Sequence, residues 1–176
     1  MTTVFAIANQ KGGVGKTTSS VHLAASLAAT RKKVLLVDID PQGNATSGAG
    51  VDKYEPEYTI HDVLMGEVNV EDAVVDTPKD SGFDLIAANG DLTAAEVPLL
   101  DMKMREFRLR NALARIRGNY AYLIVHCPPS LNMLTLNPLT AADSVIVSIH
   151  RRFYALGAPT PPLTPPTGRP SPPAGM

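Results

Sequence analysis

Tryptophan is absent from the 176-residue chain, and aromatic residues make up only 5% of it. A surface that stacks the bases of single-stranded nucleic acid needs aromatic side chains, so the composition disfavours this class of protein. The 16 basic residues nearly balance the 17 acidic ones, which leaves a formal net charge of -1. The chain therefore lacks an overall positive field for DNA, and any contact with DNA has to come from a local patch.

A single cysteine, Cys127, excludes an internal disulfide framework and fits a reducing compartment. The N-terminus lacks the basic and apolar segments of a signal peptide. No apolar run approaches the roughly 20 residues that a membrane span needs. These absences predict a cytoplasmic protein that does not associate with a membrane, and the 44% of hydrophobic residues is enough for one domain with a real core.

Short apolar runs and helical periodicities alternate along the first 150 residues. The runs show little polar alternation, which is typical of parallel strands covered on both faces. The predicted strands are 4–8, 34–37, 83–87, 120–125 and 145–149. The predicted helices are 16–29, 59–65, 94–100, 104–117 and 131–141, and 41–50 is predicted to be a loop. The fold class is therefore α/β, a mostly parallel sheet with helices on both faces, as in P-loop NTPases.

The composition changes after Gly157, because eight of the 15 prolines lie between Pro159 and Pro173. Proline at this density cannot continue a helix or a parallel strand. We therefore predict one domain over 1–157 and a disordered tail with polyproline II character over 158–176. A ligand for an SH3-like partner is the alternative interpretation of the tail.

A glycine-rich segment lies between the first predicted strand and the first predicted helix. Its glycines allow backbone N–H groups to converge on one anion, and the helix that begins at Lys16 points its positive end at the same place. In a phosphate-binding loop Lys16 would contact the β- and γ-phosphates, and the Thr17 hydroxyl would ligate Mg²⁺. A turn without a ligand is the alternative, and Gln10 stands where the usual pattern has glycine. The predicted nucleotide-binding residues, most consistent with ATP, are Lys11, Gly12, Gly13, Val14, Gly15, Lys16, Thr17 and Thr18.

Two further motifs follow predicted strands. Asp38 and Asp40 come at the end of the second strand, where ligands of open α/β sheets gather. They can position a water or hold the outer shell of a metal, or they can simply cap a loop. The apolar strand before Cys127 should end in a carboxylate for Mg²⁺ in a P-loop NTPase, but the residue there is His126.

Three segments together resemble the ParA/Soj family of deviant-Walker partition ATPases, which is close to the MinD ATPases. They are residues 9–18 (NQKGGVGKTT), 37–46 (VDIDPQGNAT) and 127–131 (CPPSL), and the resemblance extends over about 3–156. It implies an ATP-dependent sandwich dimer that binds DNA non-specifically and meets a ParB-type centromere-binding partner at the nucleoid. It also implies catalytic roles for Lys11, which would reach the partner's phosphates, for Lys16, and for Asp40, which would orient the attacking water.

The chain departs from the family pattern at two places. His126 replaces the aspartate at the strand end, and a neutral imidazole cannot supply an anionic acceptor for a Mg²⁺-bound water. The proline-rich segment stands where the family has further strands and helices, which predicts a truncated or frame-shifted member whose sheet is incomplete on the C-terminal side. Three hypotheses follow: a partition ATPase, a nucleotide-binding dimerisation module that hydrolyses poorly, and a non-functional remnant.

The remaining chemistry-bearing residues have structural interpretations. His61 and His150 have no partner at a spacing typical of metal ligands. The arginines between 105 and 117 are predicted to form a solvated helix face rather than a DNA site. Cys127 has no evident base beside it, so a nucleophilic role is disfavoured.

Overall fold

A computed structural model of the chain describes residues 1–8, 16–79, 81–130 and 132–147. In this part of the chain the strands are β1 (Thr3–Ala8), β2 (Val34–Asp38), β3 (Val74–Asp76), β4 (Asp84–Ile86), β5 (Tyr122–His126) and β6 (Ser144–Val147). They form one sheet in the order β3-β4-β2-β5-β1-β6. All neighbouring pairs are parallel except β3 and β4. The predicted α/β class with a mostly parallel sheet is therefore confirmed.

The α-helices of the described residues are α1 (Lys16–Ala29), α2 (Asn44–Gly48), α3 (Ile60–Met65), α4 (Glu96–Asp101), α5 (Arg108–Ile116) and α6 (Met133–Ala141). Short 3₁₀ helices cover Val70–Ala73, Gly90–Ala95, Arg105–Phe107 and Arg117–Asn119. None of the described helices is both long and apolar enough to span a membrane.

The central strand β2 supplies side chains to both faces of the sheet. Leu35 and Val37 belong to the apolar cluster that includes residues of α3 to α6. Val34 and Leu36 belong to a second cluster on the other side, with residues of α1 and α2. Alternate residues of a strand point to opposite faces, so an uninterrupted apolar run is what a strand between two helical layers requires.

Several predicted boundaries agree with the structure. Helix α1 spans the predicted 16–29. Helix α3 begins after Thr59, whose hydroxyl accepts a hydrogen bond from the His61 N–H, and it ends at Gly66 in the left-handed conformation with φ of 79°. The predicted helix 104–117 is an α-helix only at its centre, with 3₁₀ turns at both ends. The predicted strand 145–149 begins one residue earlier, at Ser144, and its last two residues lie outside the described part.

One α-helix and one strand were not predicted. The segment 41–50 is not a plain loop, because it contains α2. Gly43 makes the entry into α2, with φ of 62°, and a Cβ there would lie 2.5 Å from the carbonyl oxygen of Ala88. The close approach to β4 therefore requires glycine. The other element is β3, a three-residue strand whose only described strand partner is β4.

Strand β6 is the edge of the sheet beside β1 in the described part of the chain. All four of its residues are exposed, including Val145, Ile146 and Val147. Exposed apolar side chains on an edge strand favour association with a further partner. The predicted incompleteness of the sheet on this side stays a prediction, because residues after 147 lie outside the described part. The predicted tail, 158–176, lies outside the described residues, so the domain division stays a prediction.

Candidate functional site

Three parallel strands end together at one edge of the sheet. His126, the last residue of β5, is in register with Asp38 of β2 on one side and with Ile7 of β1 on the other. The Ile39 N–H donates to the His126 carbonyl oxygen over 3.0 Å, which extends this contact beyond β2. The carboxyl ends of β1, β2 and β5 therefore place the chemistry of three distant sequence segments at one edge, where ligands of open α/β sheets bind.

Lys16 is the first residue of α1 and lies at this edge. Its side chain is buried, with 7% of the residue exposed. Burial lowers the pKa of the ammonium group, while the nearby Asp40 and Cys127 oppose this shift. Burial of an ammonium group is unfavourable unless an anion compensates it. Lys16 thus places a buried cation at the edge where β1, β2 and β5 end.

The other predicted nucleotide-binding residues are only partly covered by the structure. Thr17 is half-buried and Thr18 is exposed in the first turn of α1. Asp40 is buried and lies near Lys16. The predicted site residues Lys11, Gly12, Gly13, Val14 and Gly15 lie outside the described residues. The structure thus brings Lys16 and Asp40 together, and the roles of all these residues stay predictions.

Asp38 is fully buried and serves the local fold. Its Oδ1 accepts a hydrogen bond from the Asp40 N–H (3.1 Å), and its Oδ2 accepts from the Thr46 N–H (2.8 Å) and the Thr46 hydroxyl (2.9 Å). The Thr46 Oγ1 also accepts from the Ala88 N–H over 3.0 Å. This set of bonds ties β2, α2 and the end of β4 together, and we call it the Asp38–Thr46 latch. Of the two carboxylates at the end of β2, Asp38 is therefore the one that fixes the segment between β2 and α2 in place.

Asp40 presents one oxygen to the neighbouring strand. Its Oδ1 accepts a hydrogen bond from the Gln42 N–H over 3.0 Å. Its Oδ2 lies 3.9 Å from His126 Nε2. The bond to Gln42 holds the carboxylate in an orientation that directs Oδ2 toward β5.

His126 is almost completely buried, with 1% exposed, beside Asp40 and α1. Its Nδ1 lies 3.0 Å from the Ser20 hydroxyl oxygen, and this hydroxyl donates to the Lys16 carbonyl oxygen over 2.9 Å. Burial lowers the pKa of the imidazole to about 4; the negative charge of Asp40 raises it and Lys16 lowers it further. The residue at the end of β5 is therefore a neutral base at physiological pH, where the family has an anion.

The free energy of unfolding is expected to depend on pH in opposite directions through Asp38 and through His126. Burial raises the pKa of Asp38 from 3.8 to about 7, so its contribution is present at low pH and is lost as the pH rises through about 7. The pKa of His126 falls from 6.5 to about 4, so its contribution is present above 6.5 and is lost as the pH falls through about 4. Acidification from about pH 7 to about pH 5 should therefore stabilise a His126→Asn variant and destabilise an Asp38→Asn variant, by about 2 kcal/mol each.

Urea unfolding of both variants at the two pH values measures these changes. Comparing each variant with itself removes the direct effect of the substitution on the free energy of unfolding. If the free energy of unfolding changed by the same amount in both variants between the two pH values, the pKa shifts assigned to Asp38 and His126 would be contradicted. The change in the unsubstituted chain should lie between the changes in the two variants.

Ser20 and Thr46 are site-supporting residues that sequence reasoning did not identify. Ser20 lies one turn after Lys16 on α1, and Thr46 lies eight residues beyond Asp38. Helical spacing from Lys16 is a signal that could have drawn attention to Ser20. No local pattern connects Ser20 with His126, because the two are 106 residues apart in the chain.

A second group of possible metal ligands lies around α3. In the described ranges, ligand atoms of His61, Asp62 and Glu67 all lie within 4.8 Å of one another at the two ends of α3. The prediction that His61 has no suitably placed partner is therefore wrong, because Glu67 approaches it only after the helix ends. Asp62 already accepts hydrogen bonds from the Thr59 N–H and hydroxyl. His150 lies outside the described residues.

Cys127 follows His126 into the loop and is fully buried. Burial raises the pKa of its thiol to about 12, although the charge of Lys16 acts in the opposite direction. A thiol that stays protonated is a poor nucleophile.

Comparison with known proteins finds a family model and named relatives with similar sequences. A family model described as "AAA domain" matches residues 2–159. The sporulation initiation inhibitor protein Soj of Bacillus subtilis is 50% identical over 153 residues, which cover 87% of this chain and 60% of that protein. The chromosome partitioning protein ParA of Caulobacter vibrioides is 50% identical over 155 residues, which cover 87% and 58%.

A solved structure is also similar: cobyrinic acid a,c-diamide synthase from Mycobacterium smegmatis with bound ATP analog and magnesium. Its TM-score is 0.82 and its identity 47%, over 85% of this chain and 60% of that one. This chain thus spans about three fifths of the length of the relatives it matches. The family model covers most of the chain, and the parallel sheet agrees with the structural neighbour, so the chain belongs to the AAA domain family and to its ParA/Soj branch.

Proposed function

We propose that this chain binds ATP at the turn between β1 and α1 and dimerises on the bound nucleotide, within a chromosome or plasmid partitioning system. The observation that carries the proposal is the buried Lys16 at the start of α1, at the same edge as Asp40. A helix N-terminus and an ammonium group that converge on one place suit the β- and γ-phosphates. The phosphates of ATP would add anionic groups beside this cation and the start of α1.

Only some of the groups at this site are suitable ligands for Mg²⁺. The Thr17 hydroxyl in the first turn of α1 and the phosphate oxygens are oxygen ligands, which Mg²⁺ prefers. The buried group at the end of β5 is a neutral nitrogen and does not suit Mg²⁺. Asp40 is the remaining carboxylate at this edge, and by resemblance it would orient the attacking water.

The position of His126 favours a second candidate, a nucleotide-binding module that dimerises but hydrolyses ATP poorly. Loss of a residue that orients a metal-bound group commonly lowers metal affinity or activity by ~10–100-fold. A chain of this kind could still act by pairing with a second copy or with a longer relative. We propose the same surroundings for both candidates: the cytoplasm or nucleoid, a ParB-type centromere-binding partner, weak non-specific DNA binding and no membrane.

The proposal predicts that ATP converts the full-length chain from monomer to dimer in size-exclusion chromatography with light scattering. Under the second candidate, phosphate release in the presence of ATP, Mg²⁺ and a ParB-type partner should stay near background. A His126→Asp variant should release phosphate at least ~10-fold faster, because it restores an anionic group at the end of β5. A His22→Asp variant is the matched control. It makes the same change in charge, but at an exposed position on α1.

A Lys11→Ala variant tests the dimer separately from nucleotide binding. Lys11 would reach the partner's phosphates, so this variant should bind ATP and stay monomeric. A chain that binds ATP and never dimerises would contradict the proposed function, and fast hydrolysis by the unsubstituted chain would contradict the second candidate. Absence of a cooperative unfolding transition would instead favour a non-functional remnant.

A further inference from the structure

The imidazole of His126 carries an unusual buried atom. Among the described residues, His126 Nε2 is the buried side-chain nitrogen or oxygen that has no hydrogen-bond partner. Buried polar atoms are almost always paired, because an unpaired one loses its contacts with water and gains none. The nearest charged oxygen, Asp40 Oδ2, lies 3.9 Å away, beyond hydrogen-bond distance. A buried nitrogen without a hydrogen-bond partner at this place indicates that a ligand binds between the side chains of His126 and Asp40.

The hydrogen bonds around His126 determine which ring nitrogen has a lone pair. The single hydroxyl hydrogen of Ser20 is donated to the Lys16 carbonyl oxygen. The Ser20 oxygen therefore accepts from His126 Nδ1–H. With this orientation of the Ser20 hydroxyl, the proton of the neutral ring is on Nδ1, and Nε2 has its lone pair on the side of Asp40. Histidines that bind metals are held in the same way, by a hydrogen bond from the other ring nitrogen.

Asp40 is held in a matching way. The Gln42 N–H occupies its Oδ1, which leaves Oδ2 facing His126. A Zn²⁺ ion makes bonds of about 2.0–2.2 Å to imidazole nitrogen and to carboxylate oxygen, so two ligand atoms at the tetrahedral angle lie about 3.4 Å apart. The observed separation of 3.9 Å is close to this value, so a shift of the Asp40 carboxylate by about 0.5 Å would let one ion contact both atoms.

We propose that His126 Nε2 and Asp40 Oδ2 bind one divalent transition-metal ion of the Zn²⁺ or Co²⁺ type, together with phosphate oxygens of the nucleotide. The proposal rests on the proposed function, because Lys16 lies close enough to oppose a cation until phosphates are present. Imidazole nitrogen suits Zn²⁺ and its neighbours in the transition series, whereas Mg²⁺ takes oxygen ligands. The substitution at the end of β5 thus changes which ion accompanies the nucleotide.

Visible absorption of Co²⁺ tests this site, because its spectrum depends on its ligands. Addition of the full-length chain to CoCl₂ and ATP should change the spectrum of Co²⁺–ATP, and Zn²⁺ should reverse the change at much lower concentration than Mg²⁺. A His126→Asn variant should bind Co²⁺ with ATP ~10–100-fold more weakly, and so should Asp40→Asn. A His126→Asp variant should shift the preference back toward Mg²⁺.

A His61→Asn variant is the control, since His61 belongs to the other possible cluster of metal ligands. A spectral change that is lost with His61→Asn and kept with His126→Asn would overturn the proposal. Binding of ATP with Mg²⁺ is measured in parallel with a fluorescent ATP analogue. Binding with Mg²⁺ and no Co²⁺ signal would overturn the metal site alone, whereas no binding with either ion would overturn the proposed function as well.

Discussion

Replacing Lys16 by alanine is expected to weaken ATP binding by ~10–100-fold, because a hydrogen bond to a charged group contributes about 1.5–3 kcal/mol. The ammonium group lies at the first residue of α1, in a buried position near Asp40. Its loss removes the positive charge that would face the phosphates and leaves Asp40 to repel them. Titration of a fluorescent ATP analogue, followed by competition with ATP, measures the change.

The control for this prediction is Lys32→Ala, which removes an exposed lysine just before β2, at the amino ends of the strands. It should leave ATP affinity within about twofold, a change smaller than 0.5 kcal/mol. Circular dichroism and thermal unfolding without nucleotide show whether each variant is folded. A folded Lys16→Ala variant with unchanged affinity would show that this edge does not bind the phosphates.

Replacing Thr46 by valine is expected to lower the free energy of unfolding by about 2–5 kcal/mol. Valine keeps the shape of threonine but lacks the hydroxyl that links Asp38 to the end of β4. The Ala88 N–H then has no acceptor, which costs about 1–3 kcal/mol, and Asp38 Oδ2 keeps the Thr46 N–H but loses the hydroxyl, which costs about 1–2 kcal/mol more. Urea unfolding followed by circular dichroism measures the loss.

Two matched variants define the cause of this loss. Thr46→Ser keeps the hydroxyl and should recover most of the stability. Thr30→Val makes the same chemical change at an exposed position after α1, where the hydroxyl bonds only to the Leu27 carbonyl oxygen. It should change stability by less than about 0.5 kcal/mol. If Thr46→Val and Thr30→Val have similar effects, the Asp38–Thr46 latch does not contribute as described.

Local sequence patterns predicted the elements whose signals are local. Helix α3 has its hydroxyl cap at Thr59 and its glycine stop at Gly66 only seven residues later. Helix α1 combines apolar periodicity with a glycine-rich start. Helix α2 has neither signal, since Asn44, Ser47 and Gly48 favour loops. It forms because the buried carboxylate of Asp38 accepts its first-turn N–H from Thr46, which is a tertiary contact.

The same distinction applies to the site. Lys16 and Asp40 could be predicted because each follows a recognisable strand, and strand ends of a parallel sheet meet at one edge. The supporting residues could not, since Thr46 and Ala88 are 42 residues apart and Ser20 and His126 are 106 apart. The sequence also showed that His126 replaces a carboxylate. It did not show that Nε2 would be buried without a partner beside Asp40.

The strand order has a consequence for the sequence of folding events during synthesis. Strand β1 pairs only with β5 and β6 among the described strands, so it has no partner until residues after 120 have left the ribosome. Strand β2 can pair earlier, with β4. Pairing across such long separations is slow, because the entropy of closing the loop is lost before the contacts form. The edge at which we propose that phosphates bind is therefore completed only after β5 has formed, so nucleotide binding there would require that the centre of the sheet is already assembled.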